Sequence, residues 1–167
     1  MVALSGIGAG QVKHSATSDR MALLRARYES LNQAMLAAST GKFSAWMTKY
    51  AAPDFSLRSS DGNIAGAAAT LSLMRSEFLV IKAVKASTFK LTNLSVHPDH
   101  TSCTIQTHLS AVTKDGTRIV EDTVAVDTWR LVHSDLKLAT VVTTKDKLSA
   151  NGKVVRATGI RPGEAFP

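Results

Sequence analysis

The 167-residue chain is 44% hydrophobic, enough for one domain of ordinary size with its own core, which excludes the disordered and fibrous classes. Its 20 Lys+Arg against 13 Asp+Glu give a net charge of +7, and aromatic residues make up only 5%. No apolar run approaches the ~20 residues needed to cross a bilayer, so the reading is a soluble protein, either cytoplasmic or exported with a signal peptide removed.

Residues 1–18 read as a mobile leader. Gly, Ser and Ala dominate Met1 to Ala16, and the basic n-region of a complete signal peptide is missing. Asp19 is the expected N-cap of a first helix carrying Leu24, Tyr28, Leu31 and Met35 on one stripe, with Gly41 closing it. Thr40 is then the expected cap of a second helix, with Phe43, Trp46, Met47 and Tyr50 at i, i+3, i+4 and i+7, stopped by Pro53. Phe55 to Arg58 alternates as a strand, Asp61-Gly62 supplies a turn, and the chain returns through Ile64. A third helix is predicted from Ala67 to Val80, where Leu71, Met74 and Phe78 share a face.

Strands rich in Thr, Val and Ile follow over Ser87–Val96, Thr101–Thr113, Thr117–His133 and Leu136–Lys147. Pro98-Asp99, Asp115-Gly116 and Ser134-Asp135 separate them as tight turns. Residues 148–167 form a Gly/Pro-punctuated tail in which Lys153 to Arg156 suits a short extra strand. The fold class is α+β: three N-terminal helices packed on a strongly curved, mainly antiparallel sheet, occupying residues 19–147.

Three stretches carry a resemblance. Lys49-Tyr50-Ala51-Ala52-Pro53-Asp54-Phe55-Ser56-Leu57, the Asp61-Gly62 turn, and Val126-Asp127-Thr128-Trp129-Arg130-Leu131 before a terminal strand resemble the nuclear transport factor 2-like cone fold. That superfamily also holds ketosteroid isomerases and polyketide-cyclase (SnoaL-like) proteins. The resemblance implies a cone-shaped α+β barrel whose helices close over a concave face to make a pocket, with the convex face against a second copy.

A two-residue loop at Asp115-Gly116 sets His108 opposite Thr123, Gln106 opposite Ala125 and Thr104 opposite Asp127 on one face. A two-residue loop at Ser134-Asp135 brings Trp129 against Thr140 and Leu131 against Leu138 on that same face. The other face then carries Ile105, Leu109, Val124, Val126, Val132 and Val141. Three helices cover only one face, so a homodimer through Ile105, Val124, Val126 and Val141 is expected.

Asp127 is the candidate catalytic residue, because burial mid-strand raises a carboxyl pKa toward neutrality, where it serves as a proton donor or base. The resemblance implies the same, since isomerases and cyclases of this superfamily have a functional Asp at the corresponding strand position. The alternative is an Asp that ties its strand to a hydroxyl such as that of Thr104. Aligning the isomerase pattern puts Ser59 in place of its carboxylate base and Ala34 in place of its oxyanion-hole tyrosine, so ketosteroid isomerisation is not implied. The Asp-Arg-Asp cluster of related epoxide hydrolases is not visible either, because strand parity sends Arg130 and Asp127 to opposite faces.

The expected ligand-binding residues are Tyr28, Leu31, Trp46, Phe55, Thr104, Gln106, His108, Trp129 and Thr140. His97 and His100 form an H-x-x-H without a third ligand, Cys103 reads as a small core residue, and no Gly-rich phosphate loop follows a strand, so no metal or other cofactor is implied. Cations such as Arg25, Lys42, Arg75, Lys90 and Lys114 are dispersed among acids, which argues against a nucleic-acid surface. The reading is a binding domain for a small apolar ligand with one or two polar groups. Two alternatives stand beside it: an isomerase, cyclase or dehydratase-like lyase using Asp127 for proton transfer, and a dimerisation module with a residual pocket.

Overall fold

The computed structural model describes residues 9–161 and 164–166. Helix α1 (Ala9–Leu36) buries Leu24, Tyr28, Leu31 and Ala34 along one stripe, as the apolar spacing requires. It starts earlier than its sequence signals suggest. No proline or acidic cap interrupts the chain between Ala9 and Asp19, so Asp19 lies within the helix, and residues 9–18 of the expected leader are helical. The rest of that leader, residues 1–8, falls outside the described residues.

The end of α1 is set by Ala38, which takes the left-handed conformation at φ 44°. Its N–H donates to Met35 O at 2.9 Å, and that of Ser39 to Ala34 O at 3.2 Å. Gly41 is therefore not the cap and lies inside α2 (Thr40–Tyr50). Ser39, not Thr40, caps α2, its hydroxyl accepting from Lys42 N–H at 3.2 Å. Phe43, Trp46 and Met47 of α2 turn into the core, and Trp46 Nε1 donates to Arg27 O at 2.9 Å, tying the two helices together.

The chain continues through β1 (Ala51–Arg58) and β2 (Ile64–Gly66) into α3 (Ala67–Val80), whose bounds match the sequence reading. Four long strands follow, β3 (Ile81–Val96), β4 (His100–Thr113), β5 (Arg118–Val132) and β6 (Asp135–Ala150), and then β7 (Lys153–Thr158). The seven-stranded sheet has the order β2-β1-β6-β5-β4-β3, with β7 paired to the far end of β6. All pairings are antiparallel except β1 with β6. The helices pack their stripes on the concave face, where the core gathers around Trp129, Leu24 and Cys103. Among the described residues no helix is long and apolar enough to cross a membrane.

The register differs from the two-residue-loop expectation, and it moves side chains between faces. The β4–β5 loop holds three residues, Lys114, Asp115 and Gly116: Thr113 N–H donates to Thr117 O at 2.9 Å, and Gly116 sits at φ 89°. One extra loop residue shifts the pairing by one, so Cys103, not Thr104, faces Asp127, and His108 faces Asp122. At the next turn His133 and Ser134, both at positive φ, make the loop, and Trp129 pairs with Leu138. A bulge in β6 at Ala139 then changes its parity, so that Thr140 pairs with Thr128 and Asp127 with Val141, and a second at Thr144 restores it. Of the four residues expected to form a dimer face, Ile105 and Val141 therefore lie on the concave side. Val124 and Val126 lie on the other face beside Gln106 and Thr104, a mixed surface.

Candidate functional site

Between the helices and the sheet lies a cavity of about 270 Å³. Tyr28 and Leu31 of α1, Phe43 and Trp46 of α2, Phe55 of β1 and Phe89 of β3 give it a largely apolar wall. Asp127 reaches this wall from the middle of β5, with 4% of its surface exposed. Its Oδ2 accepts a hydrogen bond from the Tyr28 hydroxyl at 2.5 Å, and that hydroxyl accepts one from Trp129 Nε1 at 3.1 Å. Its Oδ1 is buried with no partner among the described residues. Burial raises the Asp127 carboxyl to about 7, against the opposing pull of the Tyr28 bond. Tyr28 itself is held well above its ordinary value by burial and then by the charge on Asp127, so its hydroxyl stays protonated and acts as a donor.

The back of the site is rigid. Arg27, 5% exposed, bonds Asp135 at 2.7 Å and the carbonyl of Leu136, and its guanidinium lies 5.2 Å from the Trp129 ring. Trp129, fully buried, packs edge-on against both Tyr28 and Trp46. Cys103 Sγ lies 3.9 Å from the Tyr28 hydroxyl, but burial pushes the thiol up to about 12, which removes it as a nucleophile.

A second polar group stands at the cavity mouth. Glu121 of β5 bonds Arg156 of β7 at 2.6 Å, and Arg156 also bonds Asp146 of β6 at 2.6 Å. Burial, then the charges of Glu77 and Asp146, lift Glu121 to about 7. Glu77 of α3 keeps much of its surface in solvent, yet lost hydration on its inner side raises its carboxyl too. The buried Oδ1 of Asp146 has no partner.

Neither a protein-family model nor a curated protein sequence matches the chain significantly. Solved structures do match its fold. A putative scytalone dehydratase from Novosphingobium aromaticivorans superposes with a TM-score of 0.66 at 12% identity, covering 92% of this chain and 99% of that one. An NTF2-like protein from Cytophaga hutchinsonii gives 0.58 at 10% identity over 74% and 95% of the two chains. The fold is NTF2-like. A hexachlorocyclohexane dehydrochlorinase gives 0.58 at 12% identity over 89% and 93%.

Within this NTF2-like fold the expected site residues separate into two groups. Asp127, Tyr28, Leu31, Trp46 and Phe55 converge on the cavity. Thr104, Gln106 and Thr140 do not, because the register turns them to the convex face. Trp129 stands behind Tyr28 and supports it without lining the cavity. His108 borders the cavity, but its Nδ1 is 2.7 Å from Asp122 Oδ1. Asp127 is tied to the Tyr28 hydroxyl, not to that of Thr104. Ser59, at the isomerase base position, bonds Asp61 in the exposed β1–β2 turn, and Arg130 bonds Asp54, away from Asp127. The rings of His97 and His100 stack at 4.3 Å, and His100 bonds Asp99. Among the described residues no three His, Cys, Asp or Glu side chains are grouped to hold a metal ion.

Several lining residues escape the sequence reading. Ile105, Thr107 and Val141 enter by the register change. Glu77 and Glu121 look in sequence like ordinary surface acids. Arg156 sits in what reads as a tail, and the Lys153–Arg156 strand signal was the available pointer to its docking.

Proposed function

We propose that this protein binds a small, largely apolar molecule in its concave cavity, with Asp127 as the polar anchor. The observation that carries this reading is the unpartnered Oδ1 of a carboxyl 4% exposed on the cavity wall. A buried polar atom without a partner costs on the order of 1–3 kcal/mol, and a ligand donor or acceptor placed there recovers that cost. The aromatic wall supplies the remaining affinity through burial of apolar surface.

A second reading is cofactor-independent proton transfer, as in an isomerase, a cyclase or a dehydratase-like lyase. It is favoured by the value of about 7 for Asp127, which leaves both protonation states populated near neutrality. In an isomerisation, ionised Oδ1 would take a proton from one atom of the substrate and return it to another, so that no co-reactant is consumed. Tyr28 would hold the carboxylate in place through Oδ2 and would not itself give up a proton.

Screening a small-molecule library by calorimetry against the wild type and Asp127→Asn separates these readings. Binding that weakens at least about tenfold in Asp127→Asn supports the anchor. Turnover in the wild type that disappears in the variant, with binding retained, supports proton transfer. Equal binding by both proteins, with no turnover by the wild type, would overturn the role of Asp127.

A further inference from the structure

The chain as a whole is basic, at +7, but its cavity is not. The ionisable side chains lining the cavity are Asp127, Glu77, Glu121, His108 and Tyr28, and no lysine or arginine is among the described residues that line it. Arg156, bonded to the lining residue Glu121, is shared with Asp146. One arginine thus faces three carboxylates at the mouth, while Asp127 at the inner end faces none. The strain of this arrangement is visible in Glu121, which the neighbouring acids lift further.

We propose, resting on the reading that Asp127 anchors a ligand, that this ligand is an organic cation: a ring-sized apolar body bearing a protonated amine that donates to Asp127 Oδ1. Two observations support it independently of the rim. Among the described residues Oδ1 has no partner, and it is buried on a side chain that lines the cavity. Tyr28 and Phe89, whose rings stack at 5.9 Å, both line the cavity and give it an aromatic wall of the kind that accommodates a cation.

Glu121 lies six residues before Asp127 on the same strand, about 20 Å at ~3.3 Å per residue, so one ammonium does not touch both. The Glu77–Glu121 rim instead concentrates cations at the entrance, while the dispersed surface lysines and arginines repel them elsewhere. A neutral carbonyl ligand would use a protonated Asp127 but would leave the rim without a role. An anion would meet carboxylates at both ends.

The test uses three probes that share an indole body and differ in head group: tryptamine, tryptophol and indoleacetate. Calorimetry on the full chain near pH 7 is expected to give tryptamine binding at least about tenfold tighter than tryptophol, with indoleacetate weakest. Tryptamine binding should also release protons to the buffer as the ammonium drives Asp127 to its ionised form, and tryptophol binding should not. In Asp127→Asn the amine advantage should shrink to within about threefold while tryptophol still binds. Glu121→Gln should mainly slow tryptamine association and flatten its salt dependence. If tryptophol or indoleacetate binds as tightly as tryptamine, the cation assignment falls and the cavity reading stands. If none of the three binds, both fall.

Discussion

Asp127 is held unequally: one oxygen takes the Tyr28 hydroxyl, and the other takes nothing from the described residues. Tyr28 is thus the group that makes a buried carboxylate tolerable, and it is fixed in turn by Trp129. Tyr28→Phe removes a donor to the charged form, so the Asp127 carboxyl should titrate above the value of about 7 that it has with the bond in place. The variant should also lose about 1–3 kcal/mol of stability, more at pH 8, where Asp127 is ionised, than at pH 5, where it is neutral. Urea denaturation at the two pH values, with infrared titration of the carboxyl, checks both expectations. A carboxyl that titrates unchanged in Tyr28→Phe would mean that the hydroxyl is not its partner in solution.

At the scale of elements, the mouth of the cavity depends on β7. This strand carries Arg156 to Glu121 and Asp146, and just beyond it Gly159 turns the chain at φ 70°. A Cβ added at Gly159 would stand 1.9 Å from the carbonyl oxygen of Thr144 in β6, a backbone atom that cannot swing aside. Gly159→Ala should therefore detach the end of β7, at a cost of more than about 1 kcal/mol from left-handed strain alone. Hydrogen exchange is expected to show faster amides at β7 and the far end of β6, with α1 and α2 unchanged. Uniform protection in the variant would contradict that docking. The same element shows where sequence reading succeeds and where it stops. The bounds of α3 and the cavity stripes of α1 and α2 follow from apolar spacing and were legible. Asp127 was also legible, because its face is fixed by Trp129 two residues along its own strand. Thr104, Gln106 and Thr140 were not, because their faces depend on loop length and on bulges in β6. Strands that alternate Thr with Val carry too little polarity contrast to reveal a one-residue shift.

For the molecule as a whole, the carboxyls fall into two sets with opposite effects on the dependence of stability on pH. Asp54, Asp61, Asp99, Asp115, Asp135 and Glu164, at or near the surface, are held below their ordinary values by hydrogen bonds from hydroxyls, amides and cations. They stabilise the fold above the unfolded values, and that contribution is lost as pH falls through the depressed ones. Asp127 and Glu121 behave in the reverse way. Raised to about 7, they keep a proton in the folded protein at pH values where the unfolded chain has released it. Stability should therefore fall as pH climbs from about 4 to about 7 and level off above that. For Asp127 alone the swing is on the order of 4 kcal/mol, from a rise of about three pKa units at roughly 1.4 kcal/mol each. The optimum should then lie on the acid side of neutrality, as urea denaturation across pH 3 to 9 would reveal. Asp127→Asn should flatten the falling limb and be more stable than the wild type at pH 8 by a few kcal/mol, while losing the anchor proposed for the ligand. Such an opposition between stability and binding is what the proposed anchor role requires. A profile that rises from pH 4 to 7 in the wild type, or falls as steeply in Asp127→Asn, would remove Asp127 as the source of the limb.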